Sequence, residues 1–141
     1  MTQVDDAVLA IARGAGDDLV LLSPSDERHF DPFSVVFAFA AMLAGTYLEA
    51  LVGSFNEEAE SLGQRTGERI KVRLAALFRG EETDVDLLAL SEEVAANPAA
   101  AAQAADAARM RLVDALVENG LPAERALKLA ATVQREALSL R

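Results

Sequence analysis

The chain has 141 residues, 52% of them hydrophobic and 26% charged, with 23 acidic and 13 basic side chains, one histidine and no cysteine. That length suits one globular domain spanning 1–141, and the aliphatic content separates it from disordered chains of comparable charge. The missing cysteines exclude disulfides, thiolate metal sites and thiol nucleophiles, and the single histidine narrows the remaining catalytic chemistry.

Alanine is the commonest residue, 29 of 141, and arginine outnumbers lysine 11 to 2. Alanine is the best helix former, while valine and isoleucine are sparse and rarely alternate with polar residues, so the expected class is all-α. The anticipated architecture is a bundle of about five helices built around one long apolar-striped helix, about 32–79, with at most one short strand near 18–22.

In chain order, Val4, Ala7, Val8, Ile11 and Ala12 fall at helical spacing, and Asp5 and Asp6 suit a helix N-terminus. Gly14 and Gly16 read as the end of that helix. The apolar run Leu19–Leu22, between Asp17-Asp18 and Pro24, is the one strand candidate, to be paired in a dimer or laid over a helix groove. Residues 23–31 form a loop rich in turn formers, closing the N-terminal region 1–30.

Asp31-Pro32 is an N-cap followed by proline at the first helical position. Helical periodicity then continues to Gly80, with a stripe through Leu48, Leu51, Phe55, Ala59, Leu62, Thr66, Ile70, Leu74 and Leu77. An unbroken helix here would reach roughly 70 Å at 1.5 Å per residue, too long for a 15 kDa globule to bury alone. It therefore either breaks, most naturally at Gly53-Ser54, or packs against a second copy; the stripe keeps its phase through the glycines and favours the long helix.

Beyond Gly80, Glu81–Asp84 is an acidic linker, with Thr83 and Asp86 spaced as a capping box for a short helix to about Ala96. Asn97-Pro98 opens the next helix, whose inner face is Ala105, Ala108, Leu112, Ala115 and Leu116. Gly120 ends it, and Leu121-Pro122 starts a last helix with Ala126, Ala130, Val133 and Ala137 inward, so that region 81–141 closes in an αα-hairpin.

Residues 33–48 carry no charge and are apolar on every face, so they are enclosed by protein or by lipid. A bilayer span needs about 20 residues, and reaching Phe55 would place Glu49 within it. The basic stretch 65–79 beyond it obeys the positive-inside tendency. Ala38, Ala41, Gly45 and Gly53 share a face with Glu49 that admits close helix approach. Glu49 itself either reaches solvent or an arginine at the helix edge, or sets register across a symmetric interface.

Other motifs are weaker. Gly63-x-x-x-Gly67 lies among polar residues. His29 has Ser23, Ser25, Asp26 and Asp31 nearby, yet there is no nucleophile elbow or oxyanion loop. Glu57, Glu58 and Glu60, Asp17-Asp18 and Glu92-Glu93 lack the Glu-x-x-His pairs of a di-iron bundle, and no phosphate loop or calcium loop is present. Arg65, Arg69, Lys71, Arg73 and Arg79 read as a solvated helix face, and the C-terminal hairpin only outlines a helix-turn-helix. With an acidic net charge of −10, a nucleic-acid partner is not expected.

The sequence thus predicts a non-enzymatic, cofactor-free, self-associating helical adaptor or assembly component, with another copy or a further protein as partner. Its acidic N-terminus lacks the basic start of a secretory signal, which points to the cytoplasm. The expected interface is Phe37, Ala41, Leu43, Gly45, Tyr47, Leu48, Glu49, Leu51 and Phe55. The alternative is a membrane-active, membrane-associated protein that inserts 33–55 into lipid. An apolar interior of this kind is also able to take up a hydrophobic small molecule.

Overall fold

A computed structural model describes residues 3–22, 32–54, 59–79 and 86–139. They form six helices and, among the described residues, no strand: α1 (Gln3–Leu22), α2 (Pro32–Ser54), α3 (Ala59–Phe78), α4 (Leu87–Ala96), α5 (Pro98–Glu118) and α6 (Ala123–Leu138). The protein is an all-α helical bundle.

Helix α2 is the hub, packing against each of the other five. Its uniform apolarity follows from that position, because every side of it meets protein. Between Phe39 and Leu51 only Ala41 and Glu49 escape full burial. The surrounding helices need only one apolar stripe each, and their sequences supply one. Ala7, Val8, Ile11, Ala15 and Leu19 serve α1; Ile70, Leu74 and Leu77 serve α3; Ala126, Leu129, Ala130, Val133 and Ala137 serve α6.

Two sequence expectations change. The segment near 18–22 is the last turn of α1, not a strand, and α1 runs straight through Gly14 and Gly16. Each glycine costs about 1 kcal/mol in a helix interior, but the apolar spacing from Ala7 to Leu19 stays in phase across both. Burial of that stripe against α2 and α6 outweighs the local preference.

The anticipated helix 32–79 is two helices, divided just after the Gly53-Ser54 break, and α3 packs back against α2. Folding back lets the two halves of one stripe cover each other within a single chain: Leu48 and Leu51 on α2, and Thr66, Ile70, Leu74 and Leu77 on α3, are all buried. A straight rod would leave both halves waiting for a second molecule.

The C-terminal part follows the sequence reading closely. Asp86 caps α4, its side chain accepting from the Ala89 backbone N–H at 3.0 Å, so the cap is one residue's own and Thr83 lies outside the described residues. Pro98 occupies the first turn of α5, but Asn97 does not cap it with its side chain. The Asn97 amide instead donates to the Glu93 carbonyl at 3.0 Å, closing the end of α4. Gly120 takes φ +109°, a left-handed conformation that L side chains resist. Around it the Leu121 N–H bonds the Leu116 carbonyl at 3.0 Å and the Gly120 N–H bonds the Val117 carbonyl at 3.0 Å, closing α5 in the six-to-one pattern of a helix C-terminus. Leu121 is then buried, and α5 and α6 form the expected αα-hairpin.

Candidate functional site

The polar chemistry closest to the core gathers where α3 crosses α2. Glu49 is the only charged residue in α2. Its Oε2 accepts from Arg69 Nη1 at 3.1 Å, and its Oε1 lies 2.5 Å from Arg73 Nη1. The Oε1 contact is off hydrogen-bond geometry and is therefore coulombic.

The same Arg73 nitrogen donates to Thr46 Oγ1 at 2.9 Å, and that hydroxyl donates in turn to the Met42 carbonyl at 2.8 Å. Thr46 is 1% exposed, so a hydroxyl with neither bond would be a costly buried polar group. Arg69 and Arg73 stand four residues apart on α3, just as Thr46 and Glu49 stand three apart on α2, which brings all four onto facing surfaces. Of the two outcomes read for Glu49, the arginine at the helix edge is the one found within the chain. Arg73, with its side chain 16% exposed, is the strong partner; Arg69, at 44%, is largely solvated and contributes little.

On the solvent side of this cluster, an open depression of about 460 Å³ is lined, among the described residues, by Glu68, Arg69, Val72 and Arg73. Val72 is two-thirds exposed on its rim. A second groove, between α1 and α6, contains Asp18, at the start of the segment 18–22 expected as a strand. Asp18 is nearly buried and its carboxylate lies 3.6 Å from Arg125 Nη1. Burial raises its pKa above the ordinary aspartate value, and Arg125 offsets part of the rise.

Of the expected interface residues that are described, most lie in the chain's own interior, with Phe37, Ala41 and Glu49 only partly covered. Leu43, Tyr47, Leu48 and Leu51 are fully buried, Gly45 is buried, and Phe37 and Ala41 are partly buried. Phe55 lies outside the described residues, as do His29, Glu57 and Glu58. Tyr47 reaches across to α5, where its hydroxyl donates to the Ala105 carbonyl at 3.3 Å. Desolvation, helped by the negative charge of Asp106, pushes its pKa up to about 12.

Among the described residues no three histidine or acidic side chains converge as a metal site. Thr46 carries no motif that a sequence shows, and Asp18, conspicuous only as half of the acidic pair Asp17-Asp18, gives no sign that it pairs with Arg125. No protein family, curated protein or solved structure matches the chain.

Proposed function

We propose that the protein is a non-enzymatic, self-associating helical adaptor or assembly component of the cytoplasm that acts through helix packing. What supports this reading is the outer face of α5, where Met110 and Val117 are 44% and 43% exposed. Seven residues apart, they stand two turns from each other on one stripe, flanked by the exposed Asp106 and Asp114. An apolar pair framed by acids suits a helix of a second copy or of another protein, with the acids setting its register. Leu43, Tyr47, Leu48 and Leu51 of the expected interface are buried within the chain, so contact through them requires a helix to move.

Light scattering of the eluting protein tests this directly. A discrete multiple of 15 kDa that falls to the monomer in a Met110→Asp, Val117→Asp variant supports it. A wild-type chain that is monomeric at all concentrations, with no change in the variant, removes self-association through α5.

A second reading has its own observation. Val36–Gly53 is an 18-residue window of mean hydropathy 1.7, long and apolar enough to cross a bilayer. It is 61% buried within the chain, so insertion would need the surrounding helices to open. In this reading the protein is membrane-active, and α2 is the segment it delivers to lipid.

A further inference from the structure

We propose that Arg69 and Arg73 form a phosphate-responsive latch: an anionic lipid surface takes their guanidinium groups from Glu49 and frees α3 from α2. The inference rests on the membrane reading and supplies the trigger that reading lacks.

Three observations converge on α3. It is the most basic helix, with four bases against two acids, in a chain of net charge −10. An anionic surface therefore meets attraction here and repulsion over most of the remaining sequence. Next, Arg73, the strong partner of Glu49, and the more exposed Arg69 both line the open 460 Å³ depression with Glu68 and Val72, so a group arriving from solvent reaches the guanidiniums without unfolding the protein. Val72, 66% exposed between them, gives the cavity rim an apolar contact for an acyl chain. Finally, the partner they would give up, Glu49, is the sole charge on the span-length helix.

Guanidinium groups bind phosphate with paired, charge-assisted hydrogen bonds at least as well as they bind carboxylate. Exchange of Glu49 for phosphate leaves Arg73 paired and removes its hold on both Glu49 and Thr46. Among the described residues, what then holds α3 includes the buried stripe Thr66, Ile70, Leu74 and Leu77, packed between α2 and α5, and the Asn119 amide donating to the Gly67 carbonyl at 3.4 Å. Opening there uncovers a flank of α2 towards the surface that triggered it.

The test is hydrogen exchange of the full chain mixed with vesicles, with dye release from the same vesicles as a second readout. Vesicles of phosphatidylglycerol and phosphatidylcholine at about 50 mM salt should speed exchange in α3 at least tenfold. Exchange in α5 and α6 should be unchanged, and the effect should disappear at about 500 mM salt. Pure phosphatidylcholine should do nothing, and Arg69→Gln, whose exposed position tolerates the change, should blunt the response several-fold. Glu49→Gln should show fast α3 exchange before any lipid is added.

No acceleration with anionic vesicles, or an undiminished response in Arg69→Gln, overturns the latch. Acceleration by millimolar inorganic phosphate alone overturns the lipid source. Faster α3 exchange without dye release supports the latch while removing the membrane reading. Dye release with α3 still protected does the reverse.

Discussion

Tyr47, at the centre of α2, donates its hydroxyl hydrogen to the backbone carbonyl of Ala105 on α5, 58 residues away in sequence. Its ring is fully buried, so the hub helix is tied to the C-terminal hairpin by both packing and one long-range polar contact. Burial disfavours the phenolate, which raises the tyrosine pKa to about 12 against an ordinary value near 10. An acid whose folded pKa lies above its unfolded pKa keeps its proton in the folded state over that interval. Its contribution to stability is complete below pH 10 and is lost between pH 10 and 12. Wild-type stability should fall in that window by about 1.4 kcal/mol per pH unit relative to Tyr47→Phe, measured by urea unfolding. Parallel pH profiles of the two proteins would contradict the buried position of the hydroxyl.

The Glu49 cluster should behave as a unit. Removing one partner of a fully buried ion pair costs about 3–5 kcal/mol, and this pair is only mostly buried, so Glu49→Gln or Arg73→Gln should each cost about 1–3 kcal/mol. The double variant should cost less than the two separately, by about 1 kcal/mol, because neither leftover charge is then stranded. Arg69→Gln, at an exposed position, should cost under about 0.5 kcal/mol. Strict additivity in urea unfolding would show that the two helices are not joined through these side chains.

Asp18 predicts the opposite sign of charge effect. Desolvation raises its pKa, so the folded protein favours the protonated acid, and its stabilising contribution is present at low pH and fades as pH rises through the raised pKa. Asp18→Asn mimics the neutral acid. It should equal the wild type near pH 3 and match or exceed it by up to about 1 kcal/mol at pH 7, the Arg125 contact limiting the gain. A variant clearly less stable at pH 7 would mean that the ion pair outweighs burial.

Leu51 separates packing within the chain from packing between chains. It is fully buried among the protein's own helices, so Leu51→Ala should cost about 2–5 kcal/mol while the mass by light scattering stays that of the wild type. Leu51→Asp should lose the fold, visible as loss of helical circular dichroism. A fully helical Leu51→Asp protein that has merely dissociated would return this residue to an interface between copies.

The legible and illegible parts of the fold differ for physical reasons. The inner faces of α5 and α6 could be read residue by residue, because alanine and leucine at three- and four-residue steps, bounded by Pro98, Gly120 and Pro122, leave one consistent phase. The all-round apolarity of 33–48 demands enclosure, met from Phe39 to Leu48 except at Ala41, but the enclosing party is not written in a sequence: five helices of the same chain and a second molecule leave the same signature. Gly14 and Gly16 misled because a local cost of about 1 kcal/mol each is visible, whereas the compensating burial of Ile11, Ala15 and Leu19 is a tertiary effect. The Glu49 site was half legible. Its carboxylate was conspicuous on an uncharged helix, but the choice of Arg69 and Arg73 depends on the reversal between α2 and α3, which the continuous phase of the stripe concealed.

The central claim, that α2 is sheathed by its own chain, is tested most directly by hydrogen exchange of the α2 amides at protein concentrations spanning about two decades in detergent-free buffer. Burial within one chain predicts strong protection of residues 39–51 that does not vary with concentration. Protection that weakens on dilution would show that a second molecule covers this helix.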